Sequence, residues 1–226
     1  MTSFSPLLLQ IADSAFPTGA FAYSSGLEAL ARAGHFPTTE KLEAYLDIYS
    51  RQAESFDLAF VLAAHETKGA EVSFVDLCRT WDAYYWNQNI RKASLRQGRT
   101  FLDLLDDLFP NPEFKRLRQR SESEKWPLHF ALALGHSLAL MEVSKIQTCW
   151  IYLHAQIRDQ IAAIVRLGLL GSKSAQAMQA RVMDAASQRI GEGSNLSTIE
   201  TAWRTAPLIE VGQGAHGFLY SRLFQN

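Results

Sequence analysis

Cysteine is scarce in this sequence. Cys78 and Cys149 are its two thiols among 226 residues, far apart, with no CxxC and no metal-ligand spacing. That usage points to buried thiols in a reducing compartment and away from redox or zinc chemistry. Net charge is nearly absent too: 22 Lys and Arg against 23 Asp and Glu leave −1. The chain therefore has no long-range attraction to phosphate backbones or anionic lipid, and neither a nucleic acid nor a membrane is expected as partner. Long apolar runs are missing. Leu7-Leu8-Leu9 is too short for a signal peptide or a span and no basic residue precedes it, so a cytoplasmic location is expected. No GxxxxGK[ST] loop occurs and no phosphate cradle of the P-loop or Rossmann kind is expected. The nearest approach to GxSxG, Ser24-Ser25 before Gly26, follows no strand-like run, as a nucleophile elbow would require. No cofactor is implied.

What the chain does contain is helical spacing. Ser5-Pro6 suits a helix start, carrying a helix to about Asp13 before Pro17 and Gly19 break it. A second helix is expected from Ala20 or Ser25 to Ala33, stopped by Gly34. Thr38 or Thr39 caps a third, whose Leu42, Tyr45, Leu46, Ile48 and Tyr49 recur every three or four residues. Further helices are read over 57–68, then after a capping box of Ser73 and Asp76, then on to Phe109 with an interruption near Asn87 and Asn89. The clearest lies over 144–170. There Ile146, Trp150, Leu153, Ile157, Ile161, Ile164 and Leu167 form one stripe, on a rod of roughly 40 Å at 1.5 Å per residue. Another runs from Ser172 or Ser174 to Ile190, before a break at Gly191, Gly193, Ser194 and Asn195. These readings predict an all-α single bundle of roughly eight to ten helices around one long helix. One domain over 1–226 is expected, with a flexible docking tail from about 208. In that tail the glycine-rich 212–217 reads as non-helical, yet Phe218, Leu219, Tyr220, Leu223 and Phe224 follow it. The tail either packs on its own domain or docks into a partner.

Two clusters invite a chemical reading. His129 and His136, seven residues apart, share a helical face but stand about 10 Å apart along it, too far for one first-row ion. With Glu142 they suggest an alternative, a small all-α enzyme with an acid–base pocket; otherwise the histidines are structural. Arg91, Lys92, Arg96 and Arg99 form either a solvated helix face or an arginine finger acting on a partner GTPase.

One stretch is more specific. Phe16-Pro17-Thr18-Gly19-Ala20-Phe21-Ala22-Tyr23-Ser24-Ser25-Gly26-Leu27-Glu28 resembles the N-terminal motif of the urease accessory protein UreF family, Pro-x-Gly-aromatic-x-x-Ser-x-Gly-Leu-Glu. The likeness continues through Asn89-Ile90-Arg91-Lys92-Ala93-Ser94 with Gly98, His129-Phe130 with Gly135, and Val165-Arg166-Leu167-Gly168. It ends on His216 and Tyr220-Ser221-Arg222-Leu223-Phe224. The resemblance implies a non-catalytic homodimer that binds UreD (also called UreH) and recruits the GTPase UreG to deliver nickel to apo-urease, with no cofactor or metal of its own. It implies partner-binding roles for Gly19, Phe21, Tyr23, Ser24 and Glu28 in the motif, and for His216, Tyr220, Arg222, Leu223 and Phe224 in the tail. Leu27 is expected in the core, Tyr23 and Glu28 facing a partner. Two departures stand out: Leu169-Leu170-Gly171-Ser172 where a Pro-Leu-Gly-Gln turn is common in the family, and Gln225-Asn226 where Arg-Ser is usual.

Overall fold

The computed structural model describes residues 6–85, 87–191, 196–204 and 206–225. Among the described residues, eleven α-helices run in chain order: α1 (Pro6–Ala12), α2 (Leu27–Arg32), α3 (Thr39–Gln52), α4 (Leu58–Glu66), α5 (Glu71–Ala83), α6 (Gln88–Leu108), α7 (Pro112–Ser123), α8 (Phe130–Leu140), α9 (Lys145–Arg166), α10 (Ser172–Ile190) and α11 (Pro207–Ala215). Three-residue 3₁₀ turns lie at Ala20–Ala22, Ile199–Thr201 and His216–Phe218, and no strand occurs among the described residues. The expected all-α architecture is what forms. The expected cap at Ser5, the break at 193–195 and the departure at Asn226 fall outside the described residues.

The ends of these helices follow local chemistry. Ser144 opens α9 with a complete capping box closed by Gln147, and Thr38 accepts the Lys41 N–H at the start of α3. Asn87, read as an interruption, is instead the cap of α6, its side chain accepting the N–H groups of Asn89 and Ile90. The proposed Ser73–Asp76 box is corrected: α5 already begins at Glu71, after an Ala70 that offers no side-chain cap. Nor are α3 and α4 separate rods. A π turn over Ala53–Asp57 joins them, so the eleven segments make ten rods.

The centre is the pair α4 and α8, both apolar on every side, with residues 130–139 of α8 all buried. Gly135 permits the approach: a Cβ there would collide with the Val61 carbonyl oxygen and come within 3.2 Å of the Ala64 side chain. Across this pair lies α9, touching α1, α2, α3, α4, α8 and α10. Its predicted stripe is buried at Leu153, Ile157, Ile161 and Ile164, and half-buried at Ile146, Trp150 and Leu167. No helix among the described residues is long and apolar enough to cross a membrane.

The tail departs from expectation. Residues 207–215 form α11 despite Gly212 and Gly214, because packing outweighs propensity: Pro207 supplies a favourable first position, Ile209 is wholly buried, and Gly212 fits against Leu30 and the Gly26 carbonyl.

Buried polar groups tie the helices together. His136 stacks on Phe74 with ring centroids 4.2 Å apart and places Nδ1 2.8 Å from the Thr67 hydroxyl. His129 sets Nε2 2.9 Å from Asp82 Oδ1, and Arg91 grips the same carboxylate through two N–H donors at 2.6 and 2.9 Å. Burial lowers both histidines to a pKa of about 4. At Asp57 the Tyr152 hydroxyl donates at 2.9 Å, but burial dominates and raises the carboxyl to about 6.

Two predictions follow from this packing. Gly135→Ala forces α4 and α8 apart and lowers stability by about 2 kcal/mol or more, seen as a melting temperature about 5 °C lower; an unchanged melting temperature refutes the close approach. Acid has a computable sign as well. The unfolded chain takes up protons at His129 and His136 between pH 6.5 and about 4, where the folded protein does not, so stability falls with falling pH by about 2 kcal/mol per histidine at pH 5. Asp57 opposes this with about 1 kcal/mol, since a raised carboxyl favours folding below its pKa and loses that contribution as pH rises through it. The urea midpoint is therefore lower at pH 5 than at pH 7, and an equal or higher midpoint contradicts the assignment.

Candidate functional site

The 16–28 motif and the tail from Pro207 onward meet at the first turn of α2. Gly26 precedes that helix at φ +94°, a left-handed backbone that glycine alone holds without strain. A Cβ there would stand 2.6 Å from the Gln213 nitrogen, so α2 and α11 meet backbone to backbone only because no side chain intervenes.

Glu28, one turn into α2, is 0% exposed. Its Oε2 accepts from His216 Nε2 at 3.0 Å and the Phe224 N–H at 3.2 Å, and its Oε1 from the Leu223 N–H at 2.8 Å and Arg32 Nη2 at 3.3 Å. Burial alone would raise this carboxyl, but the Leu223, His216 and Phe224 donors outweigh it and hold the pKa below the usual value. Burial pushes His216 the other way, below the usual imidazole range, against the pull of Glu28. The pair is thus a carboxylate receiving an N–H from a neutral ring. Nδ1 of His216 has no partner among the described residues, which fits a proton carried on Nε2.

A second clamp comes from the end of α9. Arg166 donates to the carbonyls of Phe21 at 3.3 Å and Leu223 at 2.8 Å, and its guanidinium lies 4.5 Å from the Phe224 ring and 5.9 Å from that of Phe21. The Gln225 N–H bonds the Ala22 carbonyl at 2.8 Å. Ser24, buried, accepts the Glu28 N–H on its hydroxyl at 3.4 Å and gives its carbonyl to Gln160 at 3.2 Å. Motif and tail are thereby one structure.

The ten residues implied by the family resemblance divide into two sets. Ser24, Glu28, His216 and Phe224 are buried and build the junction. Phe21 is exposed to 70%, Tyr220 to 107% and Leu223 to 48%. Gly19, at φ +80°, turns the chain so that Phe21 projects. Arg222 curls back onto the carbonyls of Gly217 at 2.5 Å and Leu219 at 3.4 Å. Tyr23 is half-buried and lines a polar cavity of about 90 Å³ beneath the junction, with Ser25, Tyr49, Asp57, Tyr85 and Tyr152. Within this chain Glu28 is turned inward, its carboxylate solvated by the tail's N–H groups, and Tyr23 stands at the edge of the cavity, half-exposed.

Sequence reasoning missed Arg166 as a site residue, although Val165-Arg166-Leu167-Gly168 carried its signal; Phe218, read as one of the tail's apolar residues, is exposed to 91% at its tip. Other candidates are not brought together. His129, His136 and Glu142 keep separate partners, namely Asp82, Thr67 and Lys68. No group of three or more His, Cys, Asp or Glu that could hold a metal occurs among the described residues. Arg91 is locked onto Asp82 and unavailable as a finger. Gly212-Gln213-Gly214-Ala215-His216-Gly217 does spell GxGxxG, but a dinucleotide turn follows a strand, and here the pattern lies in α11 and the turn after it. What the arrangement offers is a rigid polar junction presenting apolar side chains to solvent.

Relatives with this fold-spanning likeness are known. A family profile named UreF matches residues 37–183, the helical body between motif and tail. Urease accessory protein F of Oryza sativa subsp. indica is 31% identical over 95% of this chain and 82% of its own length. The protein of the same name from Arabidopsis thaliana is 32% identical over 95% and 90% of the two chains. Urease accessory protein UreF of Trichodesmium erythraeum (strain IMS101) is 23% identical over 97% of this chain and 95% of its own. With a family match across most of its length and relatives above 30% identity along nearly all of it, the chain belongs to the UreF family of urease accessory proteins.

Proposed function

We propose that this chain is a non-catalytic scaffold that binds UreD/UreH and recruits the GTPase UreG, so that nickel, as cargo, reaches apo-urease. A role in urease maturation follows from the family; the named partners, the homodimer, the cytoplasmic setting and the absence of catalysis belong to the proposal. We read 1–226 as one helical unit whose docking tail begins near 208.

One observation carries this reading. Phe21, Phe218, Tyr220 and Leu223 are large, apolar and exposed, yet the backbone that bears Phe21 and Leu223 is pinned by Arg166, and that of Leu223 also by Glu28. Aromatic anchors on an ordered base enter a partner's pocket with little further loss of conformational entropy. The outer face of α11 extends the surface through Leu208 and Val211. A stable complex buries about 1,200 to 2,000 Å² in total, more than these side chains offer alone, so helical surface around them must join the contact.

Tagged protein co-expressed with UreD and UreG homologues from the same organism tests the reading. Capture of UreD, and of UreG through it, is expected; capture of neither refutes it. Combined Phe218→Ala, Tyr220→Ala and Leu223→Ala weaken UreD capture by about tenfold or more while leaving the melting temperature within about 2 °C, since exposed side chains contribute little to folding. Equal capture would remove the tail from the interface. Glu28→Gln tests the base itself: one oxygen becomes an N–H₂ facing donors, so the amides of Leu223 and Phe224 exchange with solvent at least about tenfold faster at an unchanged helical circular dichroism signal. Undiminished protection there would show that Glu28 does not hold the tail.

A further inference from the structure

Charge on α6 runs against the helix's own dipole. Arg91 and Lys92 stand near its start, Arg96 and Arg99 around its middle, and Asp103, Asp106 and Asp107 toward its end. The macrodipole favours the reverse, anions near the N-terminus and cations near the C-terminus. Packing explains part of this: Arg118 of α7 takes Asp103 at 3.0 Å and Asp106 at 3.1 Å, and Asp82 takes Arg91. Packing does not explain Lys92, Arg96 and Arg99. All three are exposed and make no close ion pair or hydrogen bond among the described residues, Arg99 acting only at longer range on Asp103 one turn further along. Every other arginine of the described chain holds a carboxylate or a backbone carbonyl.

Positions 92, 96 and 99 follow each other at steps of four and three, so the three cations share one helix face. Arg99 also lines an open groove of about 210 Å³ with Arg91, Lys125 and Trp126, in which Glu122 is the one carboxylate among the described lining residues. This face borders the junction: a Cβ at Gly217, in the tail, would stand 3.9 Å from Asn89 Nδ2 in the first turn of α6.

We propose that Lys92, Arg96 and Arg99, with Lys125 beside them, form a docking surface for an acidic segment of a partner protein. Charge complementarity supplies the argument. Three cations spread along about 10 Å of helix match a row of carboxylates better than a single phosphate. A phosphate site would also use free backbone N–H groups, and at the start of α6 the Asn87 side chain already occupies those of Asn89 and Ile90. The surface requires neither nickel nor a GTPase, so it stands apart from the reading given above.

Fluorescence anisotropy of labelled deca-glutamate with the full chain, at an ionic strength of about 20 mM, tests it. Wild type binds, and binding weakens as salt is added. Lys92→Glu, Arg96→Glu and Arg99→Glu together lower the affinity by about tenfold or more. A control variant with Lys41→Glu, Lys115→Glu and Lys173→Glu changes net charge equally at exposed lysines elsewhere and stays within about twofold of wild type. Failure of wild type to bind, or equal loss in both variants, overturns the proposal. A fluorescent GTP analogue or a single-stranded oligonucleotide that binds wild type more tightly than the peptide, and is lost on the same reversal, overturns it in favour of a phosphate site. Should the reversed variant lose its helical circular dichroism, Lys92→Gln, Arg96→Gln and Arg99→Gln replace it, with a loss of about threefold or more expected and an unchanged affinity overturning the proposal.

Discussion

A carboxylate buried away from water must be solvated by the protein or not be charged at all, and the junction of this molecule is organised around that requirement at Glu28. Isolated in an apolar interior, the ion would cost several kcal/mol. Arg32 provides one donor from within α2; the others come from His216 and from the backbone of Leu223 and Phe224, nearly two hundred residues away in sequence. The path of the tail is therefore dictated less by its own apolar residues than by where its N–H groups are needed. Gly26 and Gly212 make the geometry possible by letting α11 lie directly on the entry to α2.

Once the backbone of the tail is committed in this way, its side chains have little choice. Phe224 turns inward beneath Arg166, whereas Tyr220 and Leu223 are left outside, and Phe218 stands at the tip of the 3₁₀ turn. Phe21 is placed outward by the same guanidinium that stacks on Phe224. Apolar exposure here results from a polar constraint. This is why these side chains stay outside although a large apolar core lies close by, around α4, α8 and α9.

Much of the scaffold could be read before any coordinates. Periodicity located α9 and its stripe, Ser144 marked its start, and Gly34 marked the stop of α2. These signals are local, acting over one or two helical turns, and a single sequence contains them. What escaped reading was set by contacts distant in sequence. An acidic residue next to Leu27 in an amphipathic turn looks solvated, and only the returning tail reveals it as buried. Gly212 argues against a helix until Leu30 and the Gly26 carbonyl are seen to require a small residue there. His129 and His136 looked paired by spacing, yet each satisfies a neighbour from a different helix. The motif and the tail were recognised as patterns of letters; their physical union was not legible in either.

The distance in sequence between Glu28 and its partners has a bearing on synthesis. As the chain emerges from the ribosome, α1 through α10 can assemble while the carboxylate still lacks its donors, because those lie at 216, 223 and 224. The entry to α2 reaches its final form only after residues 216, 223 and 224 have emerged. Nascent molecules that stop short of these residues would own the helical body without the junction, and would lack the Gln225 bond to the Ala22 carbonyl beside Phe21. The junction is in this way completed late, by contacts between segments nearly two hundred residues apart in the same chain.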